Sequence, residues 1–376
     1  MKLCLCNVTA SFLAGGLETY CWEVGRALSR QGHAVTLATG IPPGGQPPRH
    51  TEIQYQTFPF RIEQSWPNFG SRFRRLMERG SFYRHALPWL LEQQFDAIIV
   101  NKPFDFPSLW WAKQKGLKSK IVFRSGGREF FMADRFFAHV VDVWASTSRY
   151  NAAQVEGHYH QIVNVIHNGV DTDHFTFQAL ARDAVRQEWQ AQWGLPHEAV
   201  VIGSVGRLVG WKGLRVILES LAMLPAHVHY VICGEGEAQA DLQAQAQALG
   251  VAARVHFAGR IPHHALPQVL SAFDCFVQPS MGEESFGISV VEAMACQCPV
   301  LVSENGGLTE IVNSATVGSV LPRGDTTAWS AALANIVDNS DRRKALGLAA
   351  RERVLQHFTW MSNAAKLVEL IEKVPA

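Results

Sequence analysis

Short apolar runs recur along the chain, each bounded by polar or glycine-containing turns and separated by stretches with helical spacing. Residues 3–8 read as a buried strand, 17–30 as a helix, and 34–39 as the next strand after the Gly32-His33 turn. Further strand-like runs lie at 97–100, 120–123, 141–145 and 162–166. Continuous apolar runs with helices between them predict a parallel sheet covered on both faces. The pattern then restarts, with strands at 200–205, 228–233, 254–257, 275–278, 300–302 and 318–321. Helices are expected at 214–224, 238–249, 266–273, 289–295 and 327–337. This second βα series predicts an α/β fold of two doubly wound, Rossmann-like domains, with the boundary between residues 168 and 198.

Composition supports that division. The 376 residues exceed one ordinary domain, and 47% hydrophobic against 18% charged residues is a soluble globular balance with material for two cores. No run approaches the ~20 apolar residues of a membrane span. The apolar start soon meets Asn7, Thr9 and Ser11, which suits a first strand better than a secretory leader, so a cytoplasmic location is expected. Seven cysteines without framework spacing read as small buried residues, neither a disulfide scaffold nor a metal site. The near-neutral total conceals an asymmetry. Residues 1–165 hold 19 Lys and Arg against 12 Asp and Glu, whereas 166–376 hold 15 against 21. A first half of net +7 is expected to meet an anionic partner or surface. Two segments break the alternation: 42–48 is a Pro- and Gly-rich loop, and 68–91 mixes Arg72, Arg74, Arg75, Arg79 and Arg84 with Phe69, Phe73, Phe82, Tyr83 and Trp89. The latter reads as basic, aromatic and partly helical.

Three clusters carry candidate chemistry. Gly15-Gly16 follows a strand and opens a helix, where backbone N–H groups can approach a phosphate or sugar; taken alone, the pair fits a tight turn with no ligand better. Arg207 ends a strand and Lys212 opens the next helix, at the carboxyl edge where open α/β sheets bind ligands. Arg holds a phosphate with two parallel hydrogen bonds and Lys adds a point charge; solvated surface charges are the alternative. The most specific cluster is PSMGEESFGI at 279–288, continuing to Glu292. A strand ends, a glycine loop follows, and a helix starts near Gly287, whose amides suit an anionic diphosphate without a metal. Glu284 and Glu292 flank that turn, and carboxylates suit paired sugar or ribose hydroxyls.

The segment ESFGISVVEAMA, with its Glu284-x7-Glu292 spacing, resembles the signature of retaining glycosyltransferases of the GT-B fold, family four (glycosyl transferases group one). GGLETYCWEVGRALSRQGH at 15–33, HNGVDTDHF at 167–175, GRLVGWKG at 206–213, GEGE at 234–237, FAGRIP at 257–262 and GGLTEIV at 306–312 carry the resemblance across most of the chain. It implies two Rossmann-like domains facing across a cleft. Residues 1–170 would form the acceptor domain, 171–357 the nucleotide-sugar domain, and 358–376 a helix packing back on the first. Arg207 and Lys212 would contact the donor diphosphate, Glu284 the sugar hydroxyls and Glu292 the ribose. Phe286, Gly287 and Ile288 would offer amides to phosphate and sugar, Arg260 and Ile261 would lie by the base, and Gly16 would approach the diphosphate. Arg207, Lys212 and Glu284 are thus the catalytic candidates.

One departure stands out. Many relatives carry a His after the strand that here reads IVF, and this chain has Arg124-Ser125-Gly126-Gly127. Arg124, with Gly15, is an acceptor-side candidate: it binds a charged acceptor or packs at the domain edge. Asp171-x-Asp173 sits in a junction loop and is not read as a metal site; no metal and no cofactor is expected, the nucleotide diphosphate sugar being a co-substrate. The partners expected are that donor, a glycan or lipid-linked acceptor, and an anionic membrane surface met by the first domain at the inner face of the cytoplasmic membrane, with no nucleic acid. The implied role is hexose transfer in cell-surface polysaccharide or lipopolysaccharide assembly; a nucleotide-sugar-binding protein or an epimerase on the same fold is the alternative.

Overall fold

A computed structural model of the chain describes residues 1–12, 15–41 and 52–375. Two compact units divide it: Met1–Asn168 with Trp360–Ala376, and Gly169–Thr359. The first contains strands β1 (Lys2–Cys6), β2 (Ala34–Gly40), β3 (Gln54–Phe58), β4 (Ala97–Val100), β5 (Lys120–Ser125), β6 (Val143–Ser146) and β7 (Asn164–Val165). Among the described residues they pair in parallel in the order β3-β2-β1-β4-β5-β6-β7. The second unit contains β8 (Val200–Val205), β9 (Val228–Cys233), β10 (Val255–Gly259), β11 (Cys275–Gln278), β12 (Val300–Ser303) and β13 (Gly318–Leu321), all parallel in the order β10-β9-β8-β11-β12-β13. Both sheets are doubly wound as the apolar pattern predicted. Each reverses its strand order beside its first strand, at β1/β4 and at β8/β11, and such switch points are where open α/β sheets bind ligands.

Each sheet is buried on both faces because successive strand residues point to opposite sides. Leu3 and Leu5 of β1 join a core with Tyr20, Val24 and Leu28 of the helix Gly16–Arg30. Cys4 and Cys6 face the other core with Phe82, Leu90 and Phe106. The last helix, Trp360–Lys373, buries Trp360, Ala364, Leu367 and Ile371, spaced for one helical face, in the Leu3/Leu5 core. All seven cysteines are buried and free.

Three local readings change. β7 is two residues long, shorter than the expected 162–166, because Ile162 is 87% exposed and only Asn164 and Val165 pair with β6. β3 was not anticipated: its QYQTF sequence is an exposed edge strand with one buried residue, so its polarity hides it. The basic segment is one long helix, Ser71–Gln93, whose charges do not form a single surface. Arg79 is buried against Asp105 (3.4 Å), and Phe82 and Tyr83 belong to the core. Arg72 and Arg84 remain exposed, and Phe69 just before the helix is 76% exposed.

The second unit carries a buried histidine pair on neighbouring strands. His229 Nδ1 and His256 Nε2 are 3.0 Å apart, and Trp193 stacks on His256 at 4.8 Å between ring centroids. Burial, then the His229 neighbour, pulls His256 down to about 4; burial, then Arg254, lowers His229. Folded-state values below the unfolded one mean that the unfolded chain binds more protons at mildly acidic pH. Stability should therefore be complete above about pH 6.5 and fall as pH drops toward 4. Melting curves from pH 7 to 4 check this: His256→Phe should flatten that part of the profile, and an unchanged slope would remove the pair as its cause.

Candidate functional site

The loops after β8 and β11 meet because these strands are neighbours, with Cys275 opposite Ile202 and Phe276 opposite Gly203. Gly206 leaves β8 at φ 149, followed by exposed Arg207; Gly213, at φ 69, closes the single 3-10 turn Gly210–Lys212. A Cβ at Gly213 would overlap the carbonyl oxygen of Pro279, so only glycine allows the two loops this approach. Trp211 fastens them from the other side, its carbonyl accepting the N–H of Met281 (2.8 Å) and Gly282 (3.1 Å). Lys212 thereby reaches Glu284, with Nζ 2.6 Å from Oε1, while its ammonium lies 4.7 Å from the Trp211 ring centroid.

Glu284 is a buried carboxylate held by a set of donors. Its Oε1 also accepts from Gln278 Nε2 (2.8 Å) and Ser280 Oγ (2.7 Å). Asn305, after β12, donates to the carbonyls of Ser280 (2.9 Å) and Gly282, and Ser303 Oγ donates to Ser280 O (2.8 Å). Polar groups removed from water in this way are each engaged, which fixes the loop at the strand ends. Gln278 and Asn305 lie outside the candidate clusters and Ser280 inside one without an assigned role, although a Gln closing the apolar run CFVQ was a usable signal. Gly287 (φ 125) then caps the helix Ile288–Ala295, whose first amides have no intrahelical acceptor. Ser289 Oγ contacts Gln278 Oε1 at 3.4 Å, and Glu292 lies one turn further along the same helix face. Glu292 is buried, with Oε1 2.9 Å from Nε2 of half-exposed His263, a partner the sequence did not suggest.

Arg260 and Ile261 follow β10 at the same sheet edge, Arg260 exposed and Ile261 half-buried. Among the described residues neither the Arg207 nor the Arg260 side chain has a hydrogen-bond or ion-pair partner. The carboxyl edge of the second sheet thus brings together Arg207, Lys212, Glu284, the Gly287 helix start, Glu292 and Arg260. A separate cavity of about 480 Å³ lies at the opposite, amino ends of β8 and β11. Its Arg182 and Arg186 are already engaged by Asp274, at 2.8 and 2.6 Å.

In the first unit Gly15 is the N-cap of the helix Gly16–Arg30, in extended backbone at φ −172, and Gly16 is exposed. Glu18, in the first turn, accepts a hydrogen bond from Thr9 Oγ1 at 2.6 Å. Arg124, near the end of β5, is 1% exposed. Its guanidinium carbon lies 3.9 Å from the Tyr20 ring centroid, and Nη2 donates to Asn168 Oδ1. Burial pulls its pKa down from the ordinary arginine value. Asp171 Oδ1 accepts the N–H of Asp173 and His174, both at 3.1 Å, so the Asp-x-Asp carboxylate braces its own turn. Among the described residues no group of three His, Cys, Asp or Glu is placed to hold a metal ion.

Residues 14–174 match the family described as Glycosyltransferase Family 4, and residues 185–353 match Glycosyl transferases group 1. The chain belongs to the group 1 glycosyl transferases. A D-inositol 3-phosphate glycosyltransferase of Corynebacterium jeikeium is 33% identical over 57% of this chain and 52% of its own length. The GDP-mannose-dependent alpha-(1-6)-phosphatidylinositol monomannoside mannosyltransferase of Mycolicibacterium smegmatis is 31% identical over 61% of this chain and 62% of its own. The chain therefore spans between half and two thirds of these two curated relatives. The solved structure of HepE from Anabaena, in complex with UDP and glucose, superposes with TM-score 0.78 at 20% identity, covering 99% of this chain and all of HepE. At that identity the likeness is one of fold, the GT-B fold. Glu284-x7-Glu292 lies in the matched segment 185–353, and Arg124 lies in the matched segment 14–174.

Proposed function

We propose that this chain is a retaining hexosyltransferase that takes a sugar from a nucleoside diphosphate donor and passes it to a glycan or lipid-linked acceptor. The observation that carries this is the second sheet's switch point. Arg207 and Lys212 supply positive charge there, Glu284 offers a pre-oriented carboxylate, and a helix N-terminus faces the same edge. Related chains point the same way: one relative is GDP-mannose-dependent, and HepE was solved with UDP and glucose. Because these donors differ, the base and the sugar are not assigned.

In the proposed reaction the bond from the sugar's anomeric carbon to the diphosphate oxygen breaks, and a bond to the acceptor oxygen forms on the same face. The acceptor proton passes to the departing phosphate oxygen. Arg207, Lys212 and the amides of Phe286, Gly287 and Ile288 stabilise the charge developing on the diphosphate, the part a metal plays elsewhere. Glu284 holds sugar hydroxyls, Glu292 the ribose, and Arg260 and Ile261 flank the base. Incubation of the pure protein with a nucleotide-sugar panel and glycan acceptors, read by NMR of the anomeric proton, tests this. A product of unchanged anomeric configuration is expected; binding without turnover would favour a binding protein, and isomerised donor an epimerase. The same assay in excess EDTA should retain full activity, and activity abolished by EDTA and restored by magnesium or manganese would return Asp171 and Asp173 to consideration.

The role proposed for the reaction is cell-surface polysaccharide or lipopolysaccharide assembly, with the first unit against the anionic inner face of the cytoplasmic membrane. Its net charge of +7 over residues 1–165 and the exposed Arg72, Arg84 and Phe69 support this. Basic side chains gain about 1 kcal/mol each near such a surface. No helix among the described residues is long and apolar enough to cross a membrane, so attachment would be peripheral. The protein should sediment with anionic vesicles at low salt, and R72S/R84S should weaken this several-fold. No sedimentation of the wild type contradicts the surface role.

A further inference from the structure

A charged guanidinium inside a protein is costly unless a counter-charge and hydrogen-bond acceptors surround it. Arginine keeps its proton in such places, so burial does not relieve the cost. Buried Arg79 meets that requirement by facing Asp105, and partly buried Arg186 does so by facing Asp274. Arg124 does not. It is 1% exposed, yet among the described residues no Asp or Glu side chain pairs with it. Its surroundings are the Tyr20 ring, the amide oxygen of Asn168 and Cys21, none of them an anion, since burial pushes both the Tyr20 phenol and the Cys21 thiol up to about 12. Among the described residues its buried Nε has no acceptor and its Nη1 has no hydrogen-bond partner.

The placement of Nη1 gives this deficit a direction. Arg124 stands near the carboxyl end of β5, two strands from the helix-opening Gly15-Gly16 that follows β1. The chain leaves β5 through Ser125 and Gly126, and Gly126 is exposed. A Cβ on Gly126 would lie 3.9 Å from Nη1, so exposed Gly126 borders the guanidinium without a side chain of its own to cover it. Tyr20 and Asn168 meanwhile fix the plane of the group. An immobilised, uncompensated cation behind a glycine at a ligand-binding sheet edge is pre-organised for an oxyanion.

We propose that Arg124 recognises an anionic group, a phosphate or a carboxylate, on the acceptor, so that this enzyme glycosylates a negatively charged sugar or sugar lipid. The inference rests on the glycosyltransferase reading and names the acceptor class within it. The ligand binds at Nη1 and supplies the counter-charge that the first unit withholds. Neutral glycans lack that compensation and are poorer acceptors.

Calorimetry on the full chain tests this with inorganic phosphate as the probe and glucose as the neutral control. The background variant R207A/K212A silences the donor's own phosphate contacts. It should still bind phosphate, and adding R124M should weaken that binding at least roughly tenfold, the loss expected for a hydrogen bond to a charged group. R124M on its own should melt no lower than the wild type, because it removes an uncompensated charge while keeping an unbranched apolar stem in its place. If it does not fold, R124K in the same background substitutes, with weakened but measurable phosphate binding expected from its compact charge. UDP and GDP, titrated into R124M or R124K, distinguish the source of the anion: unchanged affinity places it on the acceptor, and a tenfold loss would assign Arg124 to the donor diphosphate and overturn the proposal. Absence of phosphate binding in R207A/K212A, or binding indifferent to R124M, would also overturn it. Nucleotide-sugar binding by the wild type, measured alongside, reports separately on the donor reading.

Discussion

Alanine at Arg207 or at Lys212 is expected to lower turnover by about two to three powers of ten, because removing one pre-organised donor to developing charge costs roughly 3–4 kcal/mol in comparable sites. The fold should tolerate both changes. Arg207 is exposed and its side chain has no partner among the described residues, so nothing is orphaned by its loss. Truncating Lys212 removes one of three donors to Glu284 Oε1 and leaves Gln278 and Ser280 in place. Single-turnover and steady-state rates, paired with melting curves, separate a chemical loss from a structural one. Near-normal turnover in both variants contradicts the assignment of this edge to the diphosphate.

The second large effect separates the two glutamates by ligand. Glu284→Ala should weaken the intact nucleotide sugar strongly while leaving the free nucleoside diphosphate nearly unaffected, because the proposed site gives its carboxylate to the sugar. Glu292→Ala should weaken both ligands alike, because the proposed site gives its carboxylate to the ribose. Loss of Glu284 also removes an acceptor shared by Lys212, Gln278 and Ser280; Gln278 keeps Ser280 Oγ at 3.2 Å and Lys212 is partly exposed, so the cost of about 1–3 kcal/mol for a buried group left unsatisfied falls on the Ser280 hydroxyl. Glu284→Gln keeps an oxygen in place and should therefore fold better than the alanine variant while still binding the sugar poorly. Calorimetric titration with each ligand decides the matter, and equal losses on both ligands for Glu284 argue against a sugar contact. For Glu292, the His263 partner adds a qualification to the apo state: ribose must displace or share the 2.9 Å contact.

The two parallel sheets were legible because their strands are continuous apolar runs, a pattern that only a sheet covered on both faces rewards. β3 was not, since an edge strand reading QYQTF buries one residue and looks like a loop. The 18-residue helix Ser340–His357 was missed for a related reason: it buries only Leu346, Gly347, Ala350 and Val354, too narrow a stripe for periodicity to stand out. At the site, Arg207, Lys212, Glu284 and Glu292 could be picked from motif spacing. The Gln278, Ser280 and Asn305 scaffold could not, because hydrogen bonds between loops after different strands depend on strand order, which sequence spacing does not encode. The same limit hid the condition of Arg124. Its charge is visible in the sequence, but its burial without a carboxylate is a property of what packs around it. The arginines of the long basic helix show the reverse, a patch that looked continuous and is divided by the helix turn into buried and exposed members.

The central claim is that the second unit holds a nucleotide sugar through Arg207, Lys212 and Glu284. Titration of the wild-type chain with UDP-, GDP- and ADP-linked hexoses by calorimetry, in buffer containing EDTA, tests it most directly. Saturable one-to-one binding of at least one donor, lost in R207A/K212A and weakened in E284Q, is the predicted result. No binding of any donor at millimolar concentration, or binding that survives R207A/K212A undiminished, would contradict it.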